Sequence, residues 1–339
     1  MPPRPDPDVV RLLRQYRDAL DAKELDTMRL MTNRWLEVER NLDADITALA
    51  YRMAELQAQG KPITEQLIWR EARYKYLHEQ MGHEIARYNG AAATTIASGQ
   101  TENGLIGIQA ANEAIGVSYA SVSAIGPYWN RLNLGAIEAM IGFAGDGSPL
   151  SRLLRNDYPD AVDGLLKALI NGMARGLGPA AVAREMSLGM GMGLNRALLI
   201  ARTEMARAYR MGSTAQYRAS GVVTGFYRLV KKATACLACL VLDGQEYALE
   251  SDFAEHPRGK CQILPKILGV GRPRWQLGPT WFRALPAEQQ LARMGPERYA
   301  LWQSGAVRLE DMAAMAHSPV WGSSPRVPSL AELTGGEND

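Results

Sequence analysis

The side chains best suited to chemistry lie close together. Cys236, Cys239 and Cys261 are the chain's three cysteines, and His256 falls between the last two. Cys236-Leu-Ala-Cys239 has the spacing of a tight knuckle that turns two thiolates toward one cation. His256 and Cys261 follow after 16 and 4 intervening residues. A Cys3His set suits a closed tetrahedral zinc site, with Zn–S about 2.3 Å and Zn–N about 2.0–2.1 Å. Four protein ligands leave no open position for substrate or activated water, so the expected zinc is structural. Two other readings stay open. A Cys-x2-Cys pair can be a redox dithiol, which calls for a thioredoxin-like strand–helix–strand setting, or the three cysteines can be buried and unliganded beside a surface histidine.

The surrounding elements must position these groups. Val222, Val223, Phe226, Tyr227, Leu229 and Val230 predict a strand before the knuckle. Asp243-Gly244 predicts a two-residue hairpin turn after it. Upstream the periodicity is helical. Asp6 reads as an N-cap with Pro7 in the first helical position, and Ile46, Leu49, Met53 and Leu56 form an apolar stripe that Gly60-Lys-Pro62 interrupts. Thr64 is a second cap, and Leu67, Tyr74, Leu77, Met81, Ile85 and Tyr88 resume the pattern.

Four regions follow. Residues 1–90 read as a helical hairpin whose faces meet each other or another chain; packing within the hairpin is the favoured reading, and an oligomer through these N-terminal helices is the alternative. Residues 91–232 are Ala/Gly-rich and then basic and helical. Within them Pro127–Asn130 and Gly145–Pro149 read as loops around a short helix from Leu134 to Ile141. A helix starts at Pro179, Gly189-Met-Gly-Met-Gly193 reads as a linker, and a further helix spans Leu194 to Tyr217. Residues 233–266 form the Cys/His module, and 267–339 a helical extension with a flexible tail from Ser318. The expected fold class is mainly α with a small β-containing Cys3His (zinc-knuckle-like) module, α+β overall.

Composition narrows the function. The 339 residues are 47% apolar and 22% charged, with 38 basic and 36 acidic side chains, enough to bury a core and too balanced for a polyelectrolyte tail. The balance hides an asymmetry, because residues 150–232 carry 13 basic and 5 acidic side chains. Arg202, Arg207 and Arg210 in this stretch are candidates for contact with DNA or a partner, since phosphate neutralisation needs no sequence readout. No signal peptide and no run of about 18 apolar residues is present, so a soluble, cytoplasmic protein is expected. Nucleophile-elbow, Walker and His-Glu-x2-His motifs are absent. His78, His83 and His317 read as ordinary surface or interface side chains.

Several ordered blocks carry a resemblance. Ala201-Arg-Thr-Glu204, Ser220-Gly-Val-Val-Thr-Gly-Phe226, Cys236-x2-Cys239-Leu-Val-Leu-Asp-Gly244 and His256-Pro-x-Gly-Lys-Cys261 are similar to blocks of the Mu F-like minor head, or head-morphogenesis, proteins of tailed phages. Lys260 stands where the family has Arg, and Arg258 where it has Asn. Asn171-Gly-Met-Ala-Arg-Gly-Leu-Gly178 upstream, and Trp281-Phe-Arg-Ala-Leu-Pro286 with Met294 to Gly305 downstream, extend the likeness over much of 128–310. The resemblance implies a non-enzymatic protein of the virion head, present in the host cytoplasm during assembly. It would act at the portal vertex beside portal and major head proteins and influence DNA packaging or ejection. A metal-dependent nuclease or host-directed effector carried in the head is the alternative.

Overall fold

The computed structural model describes residues 6–120, 138, 141–143, 147–155, 157–319 and 321–335. Six helices lead: α1 (Asp8–Ala58), α2 (Glu65–Arg70), α3 (Ala72–Ala120), α4 (Leu150–Leu154), α5 (Asp157–Ala174) and α6 (Pro179–Ser220). Then come β1 (Val223–Leu229), α7 (Leu237–Val241), β2 (Glu246–Ala248) and β3 (Gln262–Ile267). The chain closes with α8 (Gly278–Arg283), α9 (Ala287–Met294), α10 (Pro296–Gln303), a 3-10 turn (Leu309–Met312), β4 (Ala314–Ser318), β5 (Gly322–Arg326) and α11 (Leu330–Thr334). The architecture is mainly α with small antiparallel sheets, as expected. The predicted helix around Leu134 and the loop at Pro127 lie outside the described residues, apart from single positions.

Two compact units form. One comprises Lys23–Gly99 and Gly142–Arg202, the other Met1–Ala22, Gln100–Ile141 and Thr203–Asp339. The first is helical. Its buried stripe on α1 includes Trp35, Leu42, Ile46, Leu49, Met53 and Leu56, and on α3 Tyr74, Leu77, Met81 and Ile85. The predicted break is present, with Gly60 at φ 76° and the Thr64 hydroxyl accepting from Leu67 N at 3.2 Å. The Gly/Met linker, by contrast, is helix interior. A Cβ at Gly164 of α5 would lie 2.0 Å from the Gly189 carbonyl oxygen, and one at Gly189 would lie 2.3 Å from that of Gly164. These glycines therefore let α5 and α6 cross backbone to backbone. Packing at the crossing offsets the roughly 1 kcal/mol by which each glycine disfavours helix.

The second unit holds the sheets. β1 is central in the order β2-β1-β3, antiparallel to both neighbours. Alternation divides Phe226 from Tyr227 and Leu229, and a register shift between Val223 and Gly225 puts Val223 on the side of Phe226. Tyr227 and Leu229 pack with Leu264, Val9, Val10 and Tyr209, while Phe226 and Val223 pack with Ile263, Ile267, Ile115 and Tyr217. The first helix starts one residue later than predicted, because Pro7 is the residue whose carbonyl accepts from Arg11 N at 3.0 Å. The C-terminal region also differs. Ser318 to Thr334 is not an unstructured tail, since β4 and β5 pair there and the Ser329 hydroxyl and Glu332 carboxylate form a capping box on α11.

Candidate metal centre

The site is built where β1 ends. A turn over Lys231–Ala235, with Thr234 N donating to Lys231 O at 3.1 Å, brings the chain to Cys236. A short helix, not the predicted hairpin, follows: Cys236 caps α7, and its sulfur accepts from Cys239 N at 3.4 Å. Asp243-Gly244 instead connects α7 to β2. The buried Asp243 carboxylate accepts from Val230 N at 3.0 Å, Gly278 N at 2.9 Å and Trp275 Nε1 at 3.3 Å, tying the end of β1 to the start of α8. Leu242 and Asp243 remain helical in hydrogen bonding because Leu240 and Ala238 supply carbonyl acceptors, so a two-residue strand turn has no room to form.

The other donors come from the turn before β3. Gly259 N donates to His256 O at 2.9 Å, and Arg258 takes a left-handed φ of 64°. His256 Nδ1 lies 2.8 Å from the Pro257 carbonyl, which fixes Nδ1 as the protonated nitrogen and presents Nε2 to Cys236 Sγ at 3.4 Å. Cys236, Cys239, His256 and Cys261 all line one cavity of about 110 Å³. Their donor atoms fall into two overlapping groups, Cys236 with Cys239 and His256, and Cys239 with Glu255 and Cys261, each within 4.8 Å. Cys239 is the shared member. A tetrahedral ion with bonds of the lengths above needs donor separations of about 3.3–3.8 Å, so modest closure around Cys239 would complete the set. Thiolate and imidazole donors in a small, largely buried cavity fit a divalent ion of the zinc type.

Glu255 is the group that sequence reasoning missed. Its Oε1 lies 3.6 Å from Cys239 Sγ and accepts from His256 N at 3.1 Å, while Oε2 pairs with the Arg228 guanidinium at 3.2 Å. Its only sequence signal is adjacency to His256. Burial pushes the Glu255 carboxyl up, but Arg228 and Arg210 outweigh burial and hold it below the usual range. Arg228 is 1% exposed and stacks over Phe253 at 4.1 Å. Within the cluster the Cys239 thiol, and secondarily His256, pull Cys236 down to about 4, while the bonds to Cys236 and Cys261 push Cys239 far up. The Cys236 sulfur in turn raises His256 to about 9. These shifts favour a Cys236 thiolate beside a protonated His256, with Cys239 held as the neutral thiol.

The arginines expected to meet DNA are engaged inside their own units. Arg202 pairs with Glu24 at 3.2 Å, Arg207 Nη2 with Glu204 at 2.6 Å, and the buried Arg210 donates to Gly259 O at 3.2 Å. His78 meets the Tyr158 hydroxyl at 2.8 Å beside Trp69, and His83 is exposed. Among the described residues no helix is long and apolar enough to cross a membrane.

Residues 163–262 match the family model described as Phage Mu protein F like protein, a span that contains all four ligand candidates, Arg228 and Glu255. The downstream blocks at Trp281 and Met294 lie beyond it. No curated protein and no solved structure matches the chain.

Proposed function

Residues 163–262 are Mu F-like, and from that premise we propose that the chain is a minor head protein of a tailed phage, acting in head morphogenesis at the portal vertex with a structural zinc in its Cys/His module. The match carries the proposal because it encloses the complete donor set. The chemistry supports a staple and not a reaction centre: three sulfurs and one imidazole fill a tetrahedral ion's positions, leaving none for substrate. Zinc would join the β1–α7 end of the module to the turn before β3, and binding free energy at such a site is folding free energy. The portal and major head proteins are the proposed partners. The virion head is the proposed location, reached from the host cytoplasm during assembly, with an effect on DNA packaging or ejection.

The test is made on particles. Quantitative immunodetection of the full chain in purified heads and virions is expected to find it at low copy relative to the major head protein, and co-purification with the portal is expected before packaging. Its absence from both head and virion contradicts the proposal. The purified chain is also expected to leave plasmid DNA intact with Mg²⁺ or Mn²⁺. Cleavage abolished by His256→Ala would favour the nuclease reading.

A further inference from the structure

Two buried arginines stand against the candidate metal centre, and neither is explained by the donor set alone. Arg228, on β1, sends Nη1 to Glu255 at 3.2 Å and to within 4.0 Å of Cys239 Sγ. Its Nη2 donates to Ala254 O at 2.6 Å, and Nε to the Tyr247 hydroxyl at 3.2 Å. Arg210, on α6, is 8% exposed, donates to Gly259 O within the His256–Cys261 turn, and lies 5.9 Å from the Phe253 ring that Arg228 stacks on. Both guanidinium groups interact electrostatically with Glu255 and Cys261. A buried cation is costly unless matched, and Glu255 matches only one of the two.

The match appears when the metal is counted. Three thiolates, one neutral imidazole and a divalent ion carry one net negative charge; with Glu255 the buried anions then balance the two arginines. Resting on the zinc reading above, we infer that Arg228 and Arg210 are positioning residues that supply the counter-charge for an anionic metal–tristhiolate complex, with Glu255 serving as the anchor of Arg228 and not as a ligand. Glu255 is near enough to compete for the ion, being within 4.8 Å of the Cys239 and Cys261 sulfurs. Its carboxylate, however, is already held by Arg228 and the His256 backbone. Ligation would strip Arg228 of its partner in a dry interior, so the cheaper arrangement leaves Glu255 outside the metal's coordination and keeps the cation facing sulfur.

The experiment is zinc competition against a chromophoric chelator on the full chain, paired with the cobalt-substituted spectrum. Arg228→Met is expected to weaken zinc binding about 10- to 100-fold, the range typical of outer-shell partners, and Arg228→Lys to restore most of it. Glu255→Gln is expected to bind zinc at least as tightly as the wild type, with the three-thiolate sulfur-to-cobalt absorption intact. Unchanged affinity in Arg228→Met, or Arg228→Lys as weak as Arg228→Met, overturns the inference. So does loss of affinity or an altered cobalt spectrum in Glu255→Gln, which would make Glu255 a ligand. Should Arg228→Met fail to fold even with zinc, Arg228→Lys is expected within about 10-fold of the wild-type affinity, and a larger loss in Arg228→Lys, or any loss in Glu255→Gln, overturns the inference. A wild-type chain that binds no zinc fails at the earlier step and refutes the zinc reading itself, whereas zinc bound equally by all variants refutes only the counter-charge.

Discussion

Asp157 opens α5 fully buried, and neither carboxylate oxygen has a hydrogen-bond partner. Arg196 Nε stands 4.0 Å from Oδ1, too far for a hydrogen bond. Burial raises the carboxyl to about 8, Arg196 pulling it back and Asp160 adding to the rise. The sign follows from linkage: the folded state holds the proton more tightly than the unfolded chain, whose aspartates titrate near 3.9. Stability is therefore greatest below pH about 4 as far as this group is concerned, and is lost as pH rises toward 8. Asp157→Asn is expected to stabilise the helical unit by on the order of 2–4 kcal/mol at pH 8 and by little near pH 4, read as thermal midpoints across that window. An unchanged pH profile would show that Asp157 finds a partner in solution. Residue-scale reasoning from sequence could not find this group, because nothing in Asp157's neighbours marks it as buried. Glu255 escaped for the same reason. The Cys and His ligand candidates were legible because their types are rare and their spacing is constrained.

At the scale of elements, what could be read was what local periodicity determines. The α1 and α3 stripes follow from apolar spacing of three and four, the strand at β1 from a β-branched and aromatic run, and the Thr64 cap from a hydroxyl placed just before a helical pattern. Readings failed where a long-range contact overrides a local preference. Gly189 to Gly193 looks like a linker by propensity, yet it is helical because Gly164 and Gly189 permit a backbone crossing that no larger residue allows. Gly164→Ala should therefore do the opposite of a normal helix-stabilising change. Gain in propensity is about 1 kcal/mol, whereas overpacking costs typically 1–3 kcal/mol or more, and a 2.0 Å approach to backbone belongs at the upper end. Chemical denaturation should show a net loss of stability; a gain would mean that the helices can separate at no cost. The hairpin reading at Asp243-Gly244 failed similarly, because the three hydrogen bonds to the Asp243 carboxylate recruit that turn to join α7, β1 and α8.

For the whole molecule, the fold class was accessible from sequence while its division was not. Both compact units are assembled from separated stretches of chain, so no composition boundary coincides with them. The Mu F-like match covers only 163–262, and there the Cys/His module is the one feature whose chemistry is specific enough to connect sequence, fold and proposed role. If zinc staples that module, chelation should lower the chain's thermal midpoint, since a ligand bound only by the folded state stabilises it by RT ln(1 + [L]/Kd), a contribution that vanishes as free zinc is removed. Metal analysis of the purified full chain, alongside its Cys239→Ser variant, tests this most directly. The account predicts about one zinc per folded wild-type chain and its loss, with local unfolding of the module, in Cys239→Ser. Folded, soluble wild-type protein without zinc would contradict it.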